Sequence, residues 1–147
     1  MSSFGKTSGG RLSTCHEDLQ TVFNEAIKDT PVDFSIVCGV RGREDQEEAK
    51  RDGRSKASFG QSPHNYRPSF ALDIVPMVNG VARWDDVAAF RRCADHIMDV
   101  AETMGIDLTW GGDWNHDGDE TVTDAWDKPH FQLQDWKALA KVAELAE

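Results

Sequence analysis

Two short stretches carry the residues best suited to chemistry. The first, Ser62-Pro63-His64-Asn65-Tyr66-Arg67-Pro68-Ser69-Phe70-Ala71-Leu72-Asp73, holds an imidazole and a carboxylate. The second, Trp126-Asp127-Lys128-Pro129-His130-Phe131-Gln132-Leu133, holds another of each. His64, Asp73 and His130 make a ligand set for Zn²⁺ in which three side chains leave the fourth position to water, the arrangement of catalytic rather than structural zinc. Asp127 precedes His130 by three residues. In an extended or turning segment it can stand beside the metal without ligating it and take a proton from that water. Any one histidine alone reads as a surface or core imidazole; the joint occurrence in two stretches points to a metal. His16 and His96 fall on predicted helices without such partners and read as structural. His116 lies in an acidic loop, and its role stays open.

That acidic loop has a pattern of its own. Asp113, Asn115, Asp117 and Asp119 take alternate positions, Gly118 stands where a sharp turn is needed, and Asp124 closes the loop. Oxygen ligands around such a glycine are the signature of a calcium loop. Asp124 is a shorter closing ligand than Glu, and Gly111-Gly112 ahead of the loop argues against an entering helix, so a full EF-hand is not expected. The alternative is an Asp/Asn-rich turn open to water. If Ca²⁺ binds, it is expected to order the loop and so position Asp127 and His130 just beyond it.

The elements that must position these groups can be read from periodicity. Residues 1–12, rich in Ser, Gly and Lys, read as an extended lead-in. Thr14 and Glu17 resemble a capping box. Leu19, Val22, Phe23, Ala26 and Ile27 follow at helical spacing, and Pro31 ends the helix. Asp33 to Cys38 alternates as a strand, and Glu44 to Arg51 is a short polar helix. Residues 52–69 form a long loop, of a length that is usually functional or disordered. Phe70 to Val75 is a second strand containing Asp73, with Asn79-Gly80 a turn after it. A helix runs from Trp84 through Met104 with Gly105 as its cap, then a strand from Ile106 to Trp110. Pro129 to Leu133 is the last strand, and Asp135 opens a closing amphipathic helix through Leu145. The sum is one α+β domain over residues 1–147, a small, mostly antiparallel sheet packed with helices.

Composition narrows the function. The chain has 147 residues, enough for one core without staples. With 26 acidic and 16 basic residues the formal charge is −10, which argues against nucleic acid as a partner and against electrostatic capture by anionic membranes or anionic wall polymers. Cys15, Cys38 and Cys93 are odd in number and widely spaced, and read as reduced thiols of a cytoplasmic protein. No apolar leader follows Met1 and no run suits a membrane span. The expectation is a cytoplasmic protein whose action beyond the membrane needs another protein to release it.

The two metal stretches resemble those of the M15 zinc peptidases, and most closely the phage endolysin branch, the L-alanyl-D-glutamate peptidases. The likeness extends to Phe4-Gly5-Lys6-Thr7-Ser8, to Leu12 through Gln20, and to Ile36-Val37-Cys38-Gly39-Val40-Arg41 with Gln46. It extends also to Trp84 through Phe90 and to Gly111-Gly112-Asp113-Trp114. The step from His64 to Asp73 is longer than in the family's usual core, and Arg67-Pro68-Ser69 stands where a Gly is common. The resemblance implies a hedgehog/D-Ala-D-Ala-peptidase-like fold with zinc in a cleft. It also implies Arg41 as the group that stabilises an oxyanion or binds a substrate carboxylate, with Arg43 as its nearest competitor. Ser62 and Gln46 are expected to contribute to substrate binding.

The leading expectation is a monomeric zinc endolysin that cuts the L-Ala–D-Glu amide of peptidoglycan stem peptides. Two alternatives stand beside it: a D,D-carboxypeptidase or dipeptidase of the same superfamily, and a non-catalytic metal-binding module. Asp127 and Arg41 speak against the last, since a structural zinc has no use for a base or an oxyanion donor.

Overall fold

The computed structural model describes residues 2–114 and 127–147. Its helices are α1 (Lys6–Leu12), α2 (Glu17–Ala26), α3 (Arg43–Arg51), α4 (Val87–Thr103) and α5 (Trp136–Ala140). Its strands are β1 (Asp33–Cys38), β2 (Tyr66–Arg67), β3 (Ala71–Val78), β4 (Val81–Ala82), β5 (Leu108–Trp110), β6 (His130–Leu133) and β7 (Glu144–Leu145). Five strands make the main sheet in the order β1-β3-β6-β5, with β4 also on β3. Every pairing in it is antiparallel. The mixed helix and antiparallel-sheet class expected from the periodicity is the class observed.

Alternation along the strands sorts the sheet into a core face and a site face. Phe34, Ile36, Leu72, Ile74, Phe131 and Leu133 point into the core and are buried. They meet Leu19, Val22, Phe23 and Ala26 of α2, and Phe23 packs edge-on against Phe131 with ring centroids 5.5 Å apart. Cys93, Ala94, Ile97 and Ala101 form the matching stripe of α4, at the spacing that places one helix face on a core. The residues between the core-facing ones, Asp73 on β3 and His130 on β6, face away from this core. The register sets Asp73 directly opposite His130 on one side and Cys38 on the other.

Four local expectations need correction. Residues 6–12 form α1 rather than an extended lead-in: Leu12 is buried in the core, and the Ser8 hydroxyl accepts from the Ile36 N–H at 3.1 Å. These tertiary contacts outweigh the low helix propensity of Gly9-Gly10. Helix α2 is capped by His16, whose Nδ1 accepts from the Asp18 N–H, while Thr14 Oγ1 accepts from the Val40 N–H instead. Helix α4 begins at Val87, because Asp86 caps it by accepting from the Ala89 N–H. The closing helix stops at Ala140, and Glu144–Leu145 turns back to pair with β2, with the Ala146 N–H donating to Asn65 O. Asn79 and Gly80 have φ of 53° and 76°, as a two-residue hairpin turn requires. Gly105, at φ 71°, ends α4 in the left-handed conformation expected of a helix C-terminus.

Candidate active site

Three segments converge on the site face. His64 sits in a 3₁₀ turn, Pro63–Asn65, capped by Ser62, whose hydroxyl accepts from the His64 N–H at 3.2 Å. Asp73 is in the middle of β3 and His130 opens β6. Their nearest atoms form a small triangle. His64 Nε2 lies 3.3 Å from His130 Nδ1 and 3.3 Å from Asp73 Oδ1, and His130 Nδ1 lies 3.1 Å from Asp73 Oδ1. Ligands about 2.0–2.1 Å from a tetrahedral zinc stand about 3.3–3.4 Å from one another. The triangle therefore has close to the edge lengths that one small cation requires.

The tautomers also fit. His64 Nδ1 donates to Gly39 O at 2.7 Å and His130 Nε2 donates to Gln132 Oε1 at 2.8 Å. Each outer bond fixes the proton on the far nitrogen and turns the other lone pair toward the centre, the outer-shell arrangement that orients metal-binding histidines. The electrostatics favour positive charge there. Burial alone would raise Asp73, but the attraction of His64 and hydrogen bonds from both imidazoles hold its carboxyl well below the usual range. Burial alone would lower His64, yet Asp73 and Cys38 bring its pKa up to about 10.

Asp127 stands beside the triangle, its Oδ2 4.0 Å from His130 Nδ1. Burial raises its carboxyl above the ordinary range against the pull of His130, and Asp73 adds to the rise. Its place depends on Gly111. The Asp127 N–H donates to Gly111 O, the Gly111 N–H donates to His130 O, and the His130 N–H donates to Asp127 O. A Cβ on Gly111 would collide with the Asp127 carbonyl oxygen, so only glycine lets these two backbones lie so close.

Arg41 follows β1 and reaches the same place. Its Nη2 pairs with Asp73 Oδ2 at 3.5 Å, and its Nη1 donates to Gln46 Oε1 at 3.0 Å. One Asp73 oxygen thus faces the imidazoles and the other the guanidinium. Arg43 is exposed, pairing with Glu147 and lying over the Phe59 ring. Ser62 caps the His64 turn and lines the cavity. Gln46 differs from the expectation of a substrate contact: it has no exposed surface, and its polar atoms are engaged within the protein.

The site opens into a cavity of about 770 Å³ whose lining includes Arg41, Arg54, Lys56, Trp84 and Asp127. Three contributors escaped the sequence reading. Gly39 and Gln132 set the tautomers, and only Gln132, two residues from His130 on the same strand face, had a local signal. The third is Cys38, whose Sγ lies near His64 and Asp73 at distances that a metal site tolerates. That sulfur sits 3.8 Å from His64 Nδ1, the nitrogen whose N–H donates to Gly39 O. Trp114 tilts over His130 with centroids 5.5 Å apart. Of the proposed calcium ligands, Asp113 is described, its N–H donating to Trp110 O. Asn115, Asp117, Asp119 and Asp124, like His116, lie outside the described residues. His16 caps α2, and His96 Nε2 donates to Ala26 O at 2.8 Å, so both are structural.

Comparison with known proteins follows the same lines. The chain is 32% identical over 135 residues to the L-alanyl-D-glutamate peptidase of Escherichia phage T5, covering 88% of this chain and 96% of that one. Its fold matches the crystal structure of the Serratia marcescens L-Ala D-Glu endopeptidase ChiX with a TM-score of 0.73 and 30% identity, over 92% of each chain. Residues 1–134 match the family described as phage L-alanyl-D-glutamate peptidase, and the chain belongs to that family.

Proposed function

We propose that this protein is a zinc-dependent endolysin that hydrolyses the L-Ala–D-Glu amide of peptidoglycan stem peptides. The observation that carries the reading is the triangle of His64 Nε2, Asp73 Oδ1 and His130 Nδ1, with edges of 3.1–3.3 Å and a carboxylate beside it. Family membership supports the choice of bond.

His64, Asp73 and His130 would hold the zinc, which supplies Lewis acidity toward water and the scissile carbonyl. Asp127 takes the proton of the attacking water and returns it to the leaving amine. Arg41 holds Asp73 in orientation through Oδ2, and its remaining N–H groups serve an oxyanion or a substrate carboxylate. Arg54 and Lys56 on the cavity wall suit the carboxylates of a stem peptide. Among the described residues no helix is long and apolar enough to cross a membrane. Under this reading the protein is made in the host cytoplasm, acts as a monomer and reaches the wall through a holin-like partner.

The acidic pattern from Asp113 to Asp124 supports a calcium loop that orders the approach to Asp127. Calcium added to the zinc-loaded protein should raise its activity and thermal midpoint; no change in either would dismiss it.

Digestion of purified peptidoglycan tests the main reading. Mass analysis should show new L-Ala carboxyl ends on the glycan and peptides beginning at D-Glu. Loss of D-Ala would favour the carboxypeptidase alternative, and an unchanged digest the non-catalytic one.

A further inference from the structure

Beneath the cavity wall lies a buried pair of amides that touches neither solvent nor the ligand triangle. Gln46 comes from α3 and Asn65 from the turn that carries His64, and both have 0% exposure. Every hydrogen-bonding position of both is filled. Gln46 Oε1 accepts from Arg41 Nη1 at 3.0 Å and from Asn65 Nδ2 at 3.1 Å. Gln46 Nε2 donates to Ser55 Oγ at 3.0 Å and Ala57 O at 2.8 Å. Asn65 Nδ2 also donates to Arg41 O at 3.1 Å, and Asn65 Oδ1 accepts from the N–H groups of Gly60 and Ser62.

An amide has two donor and two acceptor positions, and here all of them are matched within the protein. The pair therefore locks together the Arg41 guanidinium, the Arg41 backbone, the loop at residues 55–62 and the capped turn of His64. Rotating Gln46 would set donor against donor at Arg41 Nη1, and rotating Asn65 would set acceptor against acceptor at Arg41 O and donor against donor at the Gly60 and Ser62 N–H groups, so the network has one orientation. Among the described residues, the Arg41 guanidinium has two other anchors, Asp73 Oδ2 at 3.5 Å and Cys38 Sγ at 3.8 Å, both longer than the Gln46 bond. Without Gln46 the guanidinium keeps its charge but loses its shortest restraint.

We infer that Gln46, oriented by Asn65, is a positioning residue that aims the Arg41 guanidinium at the reacting carbonyl. It acts through Arg41 and never meets the substrate. The inference rests on the proposed peptidase function and deepens it. A donor displaced by about 1 Å is worth far less in the transition state, while ground-state binding changes little. The effect belongs in kcat.

The experiment compares wild type with Gln46→Met, Gln46→Glu, Arg41→Ala and the Arg41→Ala/Gln46→Met double variant. kcat and KM are measured on a soluble muropeptide containing the L-Ala–D-Glu bond, with zinc content and thermal midpoint read on the same samples. Gln46→Met should lower kcat about tenfold with KM within about twofold and one zinc retained. Gln46→Glu keeps the acceptor for Arg41 and, as the protonated acid, an O–H for Ala57 O, and should recover most of that loss. In the Arg41→Ala background, Gln46→Met should cost nothing further, since coupled residues fail to add. Additive losses, or a Gln46→Met protein that keeps wild-type kcat per zinc-loaded molecule and loses only thermal midpoint, would overturn the inference and leave Gln46 a packing residue. An Arg41→Ala variant with full kcat would overturn it too. A wild type that cannot cleave the muropeptide would instead sink the peptidase reading on which it rests.

Discussion

Replacing Gln132 by Leu removes the acceptor that fixes the His130 tautomer and leaves the three ligand side chains untouched. The His130 Nε2–H then has no protein acceptor at the position where Gln132 Oε1 now stands 2.8 Å away. To present the Nδ1 lone pair to a cation, the ring must keep its proton on that unpaired nitrogen. His130 is 6% exposed, so the penalty is that of a buried unsatisfied donor, about 1–3 kcal/mol. Gln132 itself is only partly buried, so water can reach the vacated position and the lower half of that range applies. At about 1.4 kcal/mol per decade, zinc affinity should fall roughly tenfold, within the span typical of outer-shell variants. Competition for zinc against a chromophoric chelator at fixed pH reads this directly. Gln132→Glu, which keeps an acceptor, should bind zinc at least as tightly as wild type. A Gln132→Leu protein with zinc affinity within about twofold of wild type would refute the reasoning, because the Nε2 bond would then have no part in presenting Nδ1.

Three other outcomes follow from the same geometry. Asp127→Asn should keep its zinc and its thermal midpoint but lose about 10²–10⁴ in kcat on muropeptide, the usual worth of a general base. Gly111→Ala should push the Asp127 backbone away and cost about 10² in kcat with zinc still bound, since small misplacements of a catalytic group are that expensive. Its effect should largely vanish in an Asp127→Asn background. Burial raises the Cys15 and Cys93 thiols from 9.0 to about 12. Folding thus favours their protonated forms, and the stability they contribute is complete below pH 9 and lost as pH rises toward 12. The thermal midpoint should therefore fall over that window, and less steeply in a Cys15→Ala/Cys93→Ala protein; equal slopes would discount the thiols.

Much of the site was legible because its chemistry is local in sequence. His64, Asp73, Asp127 and His130 announce themselves by residue type and short spacing, and alternation along β3 and β6 brings Asp73 and His130 to one sheet face. What was not legible depends on contacts made far along the chain. Helix α1 has poor intrinsic propensity and is held by Leu12 in the core and by Ser8 against Ile36. The apolar spacing after Trp136 suits a helix, but the pairing of Glu144–Leu145 with Tyr66–Arg67 takes the last residues into a strand. Gly39 meets His64 across 25 positions, and nothing near either residue forecasts the bond. Gln46 shows the opposite limit: its importance was visible, but burial, which a residue list does not disclose, turns it from a substrate contact into a support for Arg41.

The central claim is that one zinc is held by two imidazoles and one carboxylate with a position left for water. X-ray absorption at the zinc edge of the stoichiometrically loaded protein tests it most directly. The shell should hold nitrogen and oxygen only, at about 2.0–2.2 Å, with two histidine signatures that drop to one in His130→Ala. A sulfur scatterer at about 2.3 Å, which would enlist Cys38, or a shell unchanged by His130→Ala, would contradict it.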